Sequence, residues 1–168
     1  DVKVSSWSRM APDSFPSLAK SSANYANAQL IKMEAIVDGY AEAIALDSFG
    51  FISEGSGQNI FIVRNNTLYT PPMASAILPG ITRDSVCRIA ADLGYPVSER
   101  PVSRDQLYSA DEVFVTGTVA EVTGLREIDF RRIGSGSAGP VTREIQAVFQ
   151  RAVHGREPKY ESWLTYIG

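Results

Sequence analysis

The chain of 168 residues is long enough for one compact domain with a real core and short for two. Its apolar content of 44% and charged content of 21% are those of an ordinary globular protein, while a net charge of -3 with scattered basic residues argues against nucleic-acid binding. No apolar run approaches the length of a membrane span, and a single cysteine excludes an internal disulfide, so a reducing, cytoplasmic compartment is expected.

The first part of the chain predicts a strand, an ordered linker and a helix. Residues 1–16 begin with strand-like alternation and continue into a loop that two prolines interrupt. A helix is predicted over residues 24–38, with Gly39 as its stop. One face of this helix carries Ala26, Leu30, Met33 and Val37. The pattern then changes to strands, which are predicted at 43–46, 59–63 and 67–69.

Helical signals return in the second half of the chain. Thr82 is a plausible N-cap for a helix that ends at Gly94. Its inward positions would be Val86, Ile89, Ala90 and Leu93. Further on, Ser103 and Gln106 have the spacing of a capping box, which predicts a short helix.

The last third of the chain predicts two strands and one more helix. The strands are predicted at 112–116 and, roughly, at 125–133. The helix begins near Pro140 and ends at Gly155. Its buried face would consist of Val141, Ile145, Val148, Phe149 and Ala152. These elements predict an α/β or α+β fold with a mixed or largely antiparallel sheet, and they leave open whether the sheet closes into a barrel.

Three features have a dinucleotide, metal or acid–base interpretation that the rest of the chain does not support. Residues 134–139 fit the pattern G-x-G-x-x-G, but a dinucleotide fold needs further parallel strands after the next helix, and only residues 158–168 remain. We therefore predict a loop that caps the last helix. His154, the one histidine, is expected to cap a helix end, and Cys87 is expected to be a small apolar residue that is buried or half-buried, so no metal site is predicted.

Lys20 is the one of the four lysines whose sequence neighbourhood is unusual. Small residues flank it at 17, 19 and 21–23, and they allow a bulky group to approach the amine. A desolvated amine can attack a carbonyl and form a Schiff base. On this observation alone, a solvated surface lysine in a loop remains the more common interpretation.

Other segments provide groups that would complement such a lysine. Glu54 precedes the turn 55–57, which would aim its carboxylate into a cavity, and a carboxylate facing a pyridine nitrogen keeps that nitrogen protonated. Residues 80–82 open a helix, where free N–H groups favour an anion, and residues 116–118 offer hydroxyls at a turn. Each of these segments, taken alone, is also typical of an ordinary helix start or turn.

Together these segments match a family signature at every position. The matching residues are Glu54, Ser56, Asn59, Ile60, Phe61, Leu68, Thr70, Leu78, Gly80, Ile81 and Arg83. The chain therefore resembles the class IV pyridoxal-phosphate-dependent aminotransferases, and the stretches 5–25, 78–83 and 117–122 resemble the branched-chain group in particular. The similarity covers essentially the whole chain. It implies the C-terminal domain of the D-amino-acid-aminotransferase-like fold, a mixed pseudo-barrel sheet with flanking helices.

The resemblance implies pyridoxal 5'-phosphate as cofactor and a role for each site residue. Lys20 would be the catalytic lysine, which forms a Schiff base with the cofactor and moves a proton between the substrate Cα and the cofactor's C4′. Glu54 would pair with the pyridine nitrogen, Tyr25 with the phenolic oxygen, and Leu78 would pack on the ring. The phosphate end would be held, mostly through backbone N–H groups, by Gly80, Ile81, Thr82 and Thr118.

The resemblance also implies a substrate and a reaction. Thr118 and Val119 would lie near the α-carboxylate of the substrate. The amino group of leucine, isoleucine or valine would pass to 2-oxoglutarate in two half-reactions, in a homo-oligomer of two or more chains. Val119 departs from the smaller residue usual in the family, which would narrow the carboxylate side of the pocket.

The family's domain organisation gives the last expectation. Residues 1–16 would be the interdomain linker with the first strand, and 17–168 the C-terminal cofactor-binding domain. Nothing in the chain matches the family's N-terminal domain, so we expect a C-terminal fragment with little transaminase activity of its own. Two alternatives are a D-amino-acid aminotransferase or aminodeoxychorismate lyase, which share the lysine and the glutamate, and a non-catalytic truncated domain.

Overall fold

The computed structural model describes residues 1–167 and contains helices and strands in an irregular alternation. The helices are α1 (Asn24–Val37), α2 (Ile81–Asp92), α3 (Arg104–Tyr108) and α4 (Pro140–Val153). The strands are β1 (Val2–Val4), β2 (Glu42–Leu46), β3 (Ile52–Gly55), β4 (Asn59–Arg64), β5 (Thr67–Thr70), β6 (Val97–Glu99), β7 (Glu112–Gly117), β8 (Glu121–Leu125), β9 (Glu127–Ile128) and β10 (Arg131–Arg132). None of the helices within residues 1–167 is long and apolar enough to span a membrane.

Over these residues the strands form two five-stranded mixed sheets. One has the order β10-β9-β1-β2-β3 and the other β6-β5-β4-β7-β8. Strand β1 is parallel to β2 and β9, and β5 is parallel to β6, whereas the other pairs are antiparallel. The mixed α/β fold with flanking helices is thus confirmed, and the barrel-like core lies between two sheets rather than inside one hydrogen-bonded ring.

Alternating side chains along β4 and β7 join the sheets to the helices. Ile60 and Val113 face the core between the two sheets, while Phe61 and Phe114 face the opposite side. The two phenylalanine rings stack with their centroids 5.0 Å apart, and they share a cluster with the buried faces of α2 and α4. Because side chains alternate along a β-strand, this sheet has a hydrophobic core on each of its two faces. The buried face predicted for the last helix, α4, is confirmed.

The apolar face predicted for α1 is exposed, and a different face packs on β2. Residues on the predicted face are open to solvent, with Val37 78% exposed. The packed face instead carries Ala28, Ile31 and Ala35, of which Ile31 and Ala35 meet Ala43 and Ala45 of β2. Apolar residues surround this helix, so periodicity could not select the packed face, and the close fit of small side chains on the sheet decides it.

Two other sequence predictions were wrong in detail. The helix predicted to have Thr82 as N-cap starts earlier, because Gly80 takes the extended N-cap conformation and its carbonyl accepts the first helical hydrogen bond from Asp84. The strand predicted over 125–133 is interrupted. Asp129 and Phe130 both take positive φ angles, which suit a tight hairpin turn, and this turn separates β9 from β10.

The glycine-rich loop at 134–139 ends at the N-cap of α4, where the carboxylate of Glu112 is buried. The Glu112 carboxylate accepts hydrogen bonds from the N–H groups of Val141 and Thr142, at 3.0 and 2.7 Å, and from the Thr142 hydroxyl at 2.6 Å. A Cβ on Gly139 would overlap this carboxylate, so only glycine fits there. His154 is the C-cap residue of the same helix, as predicted.

Replacing Glu112 with alanine is expected to lower the free energy of unfolding by about 3 kcal/mol, because two N–H groups at a buried helix start lose a charged acceptor. Urea denaturation monitored by circular dichroism measures this loss. Asp84→Ala is the control, since Asp84 forms only an exposed i,i+4 pair with Arg88, worth about 0.5 kcal/mol or less. Equal unfolding midpoints for the two variants would contradict the anchoring role of Glu112.

Candidate active site

A cavity of about 560 Å³ lies where the ends of three strands meet the starts of α1 and α2. Every residue predicted for the site lines it. These residues are Lys20, Tyr25, Glu54, Leu78, Gly80, Ile81, Thr82, Thr118 and Val119. The fold thus brings together segments that are up to about a hundred residues apart in the chain, while the individual roles remain predictions. The cavity wall also contains Arg9, to which the sequence analysis assigned no role, and Asn59 and Thr116, which it marked only as a signature residue and as part of the candidate anion-binding segment 116–118.

Sheet pairing places the polar strand ends on one wall of the cavity. Asn59 at the start of β4 is the direct partner of Thr116 at the end of β7. A tight turn, closed by a 2.7 Å hydrogen bond from the Gly55 N–H to the Gln58 carbonyl, connects β3 to β4. This turn holds Glu54, the penultimate residue of β3, beside Asn59. The antiparallel register therefore explains why residues far apart in the chain share one wall.

Glu54 is a buried carboxylate on this wall. Its Oε2 accepts hydrogen bonds from the Asn59 amide and from the Leu78 N–H, each at 3.0 Å. Its Oε1 accepts a hydrogen bond from the Arg9 guanidinium. Burial raises the pKa of Glu54 above its ordinary value, and the neighbouring charge and hydrogen bond of Arg9 oppose that rise. The residue is therefore a fixed acceptor inside the cavity.

Asn59 ties the start of α2 to the strands. Its amide donates to the Leu78 carbonyl at 2.9 Å as well as to Glu54. A Cβ on Gly80 would overlap the Asn59 side-chain oxygen, so glycine allows the two segments to approach this closely. As a result the first N–H groups of α2, at Ile81 and Thr82, which have no acceptor within the helix, lie at the cavity and can bind an anion.

The turn between β7 and β8 completes the anion-binding side. Thr116 is buried, and its hydroxyl has no hydrogen-bond partner within the described residues although the residue lines the cavity. Thr118 and Val119 follow in the turn, and Val119 is 99% exposed. A buried hydroxyl without a partner is unfavourable unless a ligand uses it. The orphan Thr116 hydroxyl therefore fits a polar group bound between this turn and the start of α2.

Lys20 lies on the opposite wall, just before α1. The side chain of Asn24 closes its loop by donating hydrogen bonds to the Pro16 and Ala19 carbonyls, at 3.1 and 2.7 Å. Among residues 1–167, the Lys20 amine has no hydrogen-bond or ion-pair partner, whereas the other three lysines all bind acidic side chains. Lys20 is thus exposed, unpaired and adjacent to the cavity.

The cavity therefore combines three kinds of group in one space: a free amine, a buried carboxylate and an anion-binding helix start with an orphan hydroxyl. Pyridoxal phosphate carries an aldehyde, a ring nitrogen and a phosphate, which are the matching partners of these three groups. The residues present fit this cofactor. No cluster of three or more metal-binding side chains exists within the described part of the chain.

Comparison with known proteins gives consistent matches along the chain. The family model described as Amino-transferase class IV matches residues 1–128. The chain is 46% identical over 167 residues to the branched-chain-amino-acid aminotransferase of Escherichia coli (strain K12) and 49% identical over 167 residues to a probable branched-chain-amino-acid aminotransferase of Aquifex aeolicus. It is covered to 99% in both matches but spans only 54% of the length of each relative.

Solved structures give the same result for the fold. The structure of a T.th. branched-chain amino acid aminotransferase complexed with N-(5'-phosphopyridoxyl)-L-glutamate superposes with a TM-score of 0.97 at 51% sequence identity, covering 99% of this chain and 55% of that one. The enzyme of the same name from Escherichia coli superposes with a TM-score of 0.97 at 46% identity, covering 100% and 55%.

Proposed function

The chain belongs to the class IV aminotransferase family, and on that premise we propose that it forms the pyridoxal-phosphate-binding part of a branched-chain amino acid aminotransferase. The proposed reaction transfers the amino group of leucine, isoleucine or valine to 2-oxoglutarate. Residues 1–16 would be the linker with the first strand, and 17–168 the C-terminal cofactor-binding domain. The observation that carries this proposal is the unpaired Lys20 amine, which shares a cavity with the buried carboxylate of Glu54.

When bound, pyridoxal phosphate supplies an electron-withdrawing ring that stabilises negative charge at the substrate Cα. Lys20 would hold the cofactor covalently and, once displaced by the substrate amine, carry the proton between the substrate Cα and the cofactor's C4′. Glu54 would keep the proton on the pyridine nitrogen. The hydroxyl of Tyr25 would bind the phenolic oxygen, and Leu78 would pack on the ring.

The turn after β7 and the start of α2 would bind the two anionic groups. The N–H groups of Ile81, Thr82 and Thr118, close to Gly80, would hold the phosphate, because they lie at a helix start and a turn that face the cavity. Thr118 and Val119 would lie beside the substrate carboxylate. The isopropyl side chain of Val119 would reduce the space beside the α-carboxylate and would favour substrates that have no bulky group near it.

Location and assembly are further parts of the proposal. A cytoplasmic location is supported by Cys87, which is half-buried and unpaired, as expected in a reducing compartment. A homo-oligomer of two or more chains is supported by the exposed apolar face of α1, since large exposed apolar patches usually mark contact surfaces. Cell fractionation with an antibody against the chain tests the location, and light scattering of the purified protein tests the assembly.

The experiment that tests the proposal is reconstitution with pyridoxal phosphate, using the longest natural form beside the 168-residue chain. We expect a visible absorbance band from the bound cofactor, which L-leucine bleaches and 2-oxoglutarate restores. Bleaching by D-alanine but not L-leucine would favour a D-amino-acid aminotransferase. Absence of the band in the longest natural form would favour the non-catalytic alternative.

A further inference from the structure

Arg9 is part of the cavity wall, and its side chain is held in place by several contacts. Its guanidinium contacts Glu54 Oε1, and the two side chains are only 11% and 4% exposed. Its second terminal nitrogen donates to the Asn27 side-chain oxygen at 3.3 Å. The Arg9 backbone N–H is also fixed, by a 2.7 Å hydrogen bond to the Leu46 carbonyl. Arg9 is therefore a largely enclosed cation with a defined position at the only carboxylate among the described residues that line this cavity.

The hydrogen bonds of Glu54 leave one position for a ligand. Each carboxylate oxygen has two lone pairs. On Oε2 both are used, by the Asn59 amide and by the Leu78 N–H. On Oε1 the Arg9 guanidinium uses one, and the second has no donor within the described residues. A donor that enters the cavity can therefore bind Glu54 only through Oε1, next to the guanidinium.

We propose that Arg9 is a positioning residue that keeps Glu54 deprotonated and directs its Oε1 to a protonated ring nitrogen. This inference rests on the proposed function, because it concerns the same cavity and the same cofactor. Arg9 acts through Glu54 and does not itself contact the reacting atoms. The specific consequence is that the proton resides on the ring nitrogen and not on the carboxylate.

The charges around the cavity favour this distribution of the proton. Its titratable lining side chains are Arg9, Lys20, Tyr25 and Glu54. Without a cation in contact, burial alone would favour the neutral form of Glu54, because it penalises the charged carboxylate. Arg9 touches the carboxylate directly, while a ring nitrogen bound to the second lone pair of Oε1 would be farther from the guanidinium than the carboxylate is. Since Coulomb energy falls with distance, attraction to the carboxylate exceeds repulsion from the protonated ring.

The test uses pyridoxal phosphate labelled with nitrogen-15 in the ring, because the chemical shift of that nitrogen reports its protonation in the bound state. In the Arg9→Gln variant we expect the titration midpoint of the ring nitrogen to fall by about 1 to 3 pH units. Arg9→Lys, which keeps the charge, is expected to restore most of the wild-type midpoint. Arg88→Gln, on an exposed pair with Asp84, is the control and should leave it unchanged.

The outcomes separate this inference from the proposed function. Failure of the wild-type protein to bind the labelled cofactor would remove the proposed function itself. Binding by the wild type, with the same midpoint in Arg9→Gln, would overturn the role of Arg9 alone. Where Arg9→Gln does not fold, Asn27→Ala provides the comparison, because it releases one guanidinium contact without leaving a buried charge unpaired. This variant is expected to lower the midpoint by a smaller amount, and an unchanged midpoint would contradict the inference.

Discussion

In the longest natural form of the protein, replacing Lys20 with alanine is expected to abolish covalent attachment of pyridoxal phosphate and to reduce transamination by about 10⁴-fold. The effect is large because one amine would serve both as the nucleophile that holds the cofactor and as the base that moves the substrate proton. No other lysine can substitute, since the other three are engaged with acidic side chains. Borohydride reduction followed by peptide mapping, together with the rate of L-leucine turnover, measures both losses.

The control for this prediction is Lys159→Ala. Lys159 is an exposed lysine on the 3-10 helix Pro158–Trp163, and it pairs with Asp92 at the end of α2. This variant should retain the borohydride adduct and the wild-type rate. An added small primary amine should restore part of the turnover of Lys20→Ala, because the missing base is a single amino group. A borohydride adduct on any residue other than Lys20 would refute the assignment.

The buried face of a helix could be predicted from the sequence where its apolar residues fall on one face only. The buried face of α4 was predicted residue by residue, because the opposite face of that helix is polar. The packed face of α1 was not, because apolar side chains surround that helix and only contact with the small residues Ala43 and Ala45 selects Ile31 as its centre. The turn at Asp129 was missed because the residues with positive φ, Asp129 and Phe130, are not glycines, so the sequence carries no glycine that would mark the turn.

The candidate site was predictable to the extent that it follows a linear signature. Glu54, Gly80 and the residues around them have fixed spacings, and the structure places every predicted site residue on one cavity. Arg9 was missed because its partner is 45 residues away, a separation that no local spacing encodes. Thr116 was predicted only as part of the anion-binding segment 116–118, since the absence of a partner for its hydroxyl is a property of the packed structure.

In the longest natural form, replacing Glu54 with glutamine is expected to reduce turnover by about 10²- to 10³-fold, because the charge that would hold the proton on the ring nitrogen is lost. The same change is expected to lower the free energy of unfolding by about 3 to 5 kcal/mol, since it leaves the buried Arg9 without an anion. The glutamine oxygen can still accept the bonds from Asn59 and Leu78. The loss of stability therefore reports the pairing with Arg9 and not a general collapse of the wall.

A double-mutant cycle separates the two effects of Glu54→Gln. In the variant that combines Arg9→Gln with Glu54→Gln, the unpaired buried charge is gone, so the free energy of unfolding should recover to within about 1 to 2 kcal/mol of the wild type. Turnover should not recover, because the ring nitrogen still has no anionic partner. Recovery of both would indicate that Glu54 matters only for folding. Recovery of stability without turnover is the result that makes Glu54 a cofactor-binding residue and Arg9 its positioning partner.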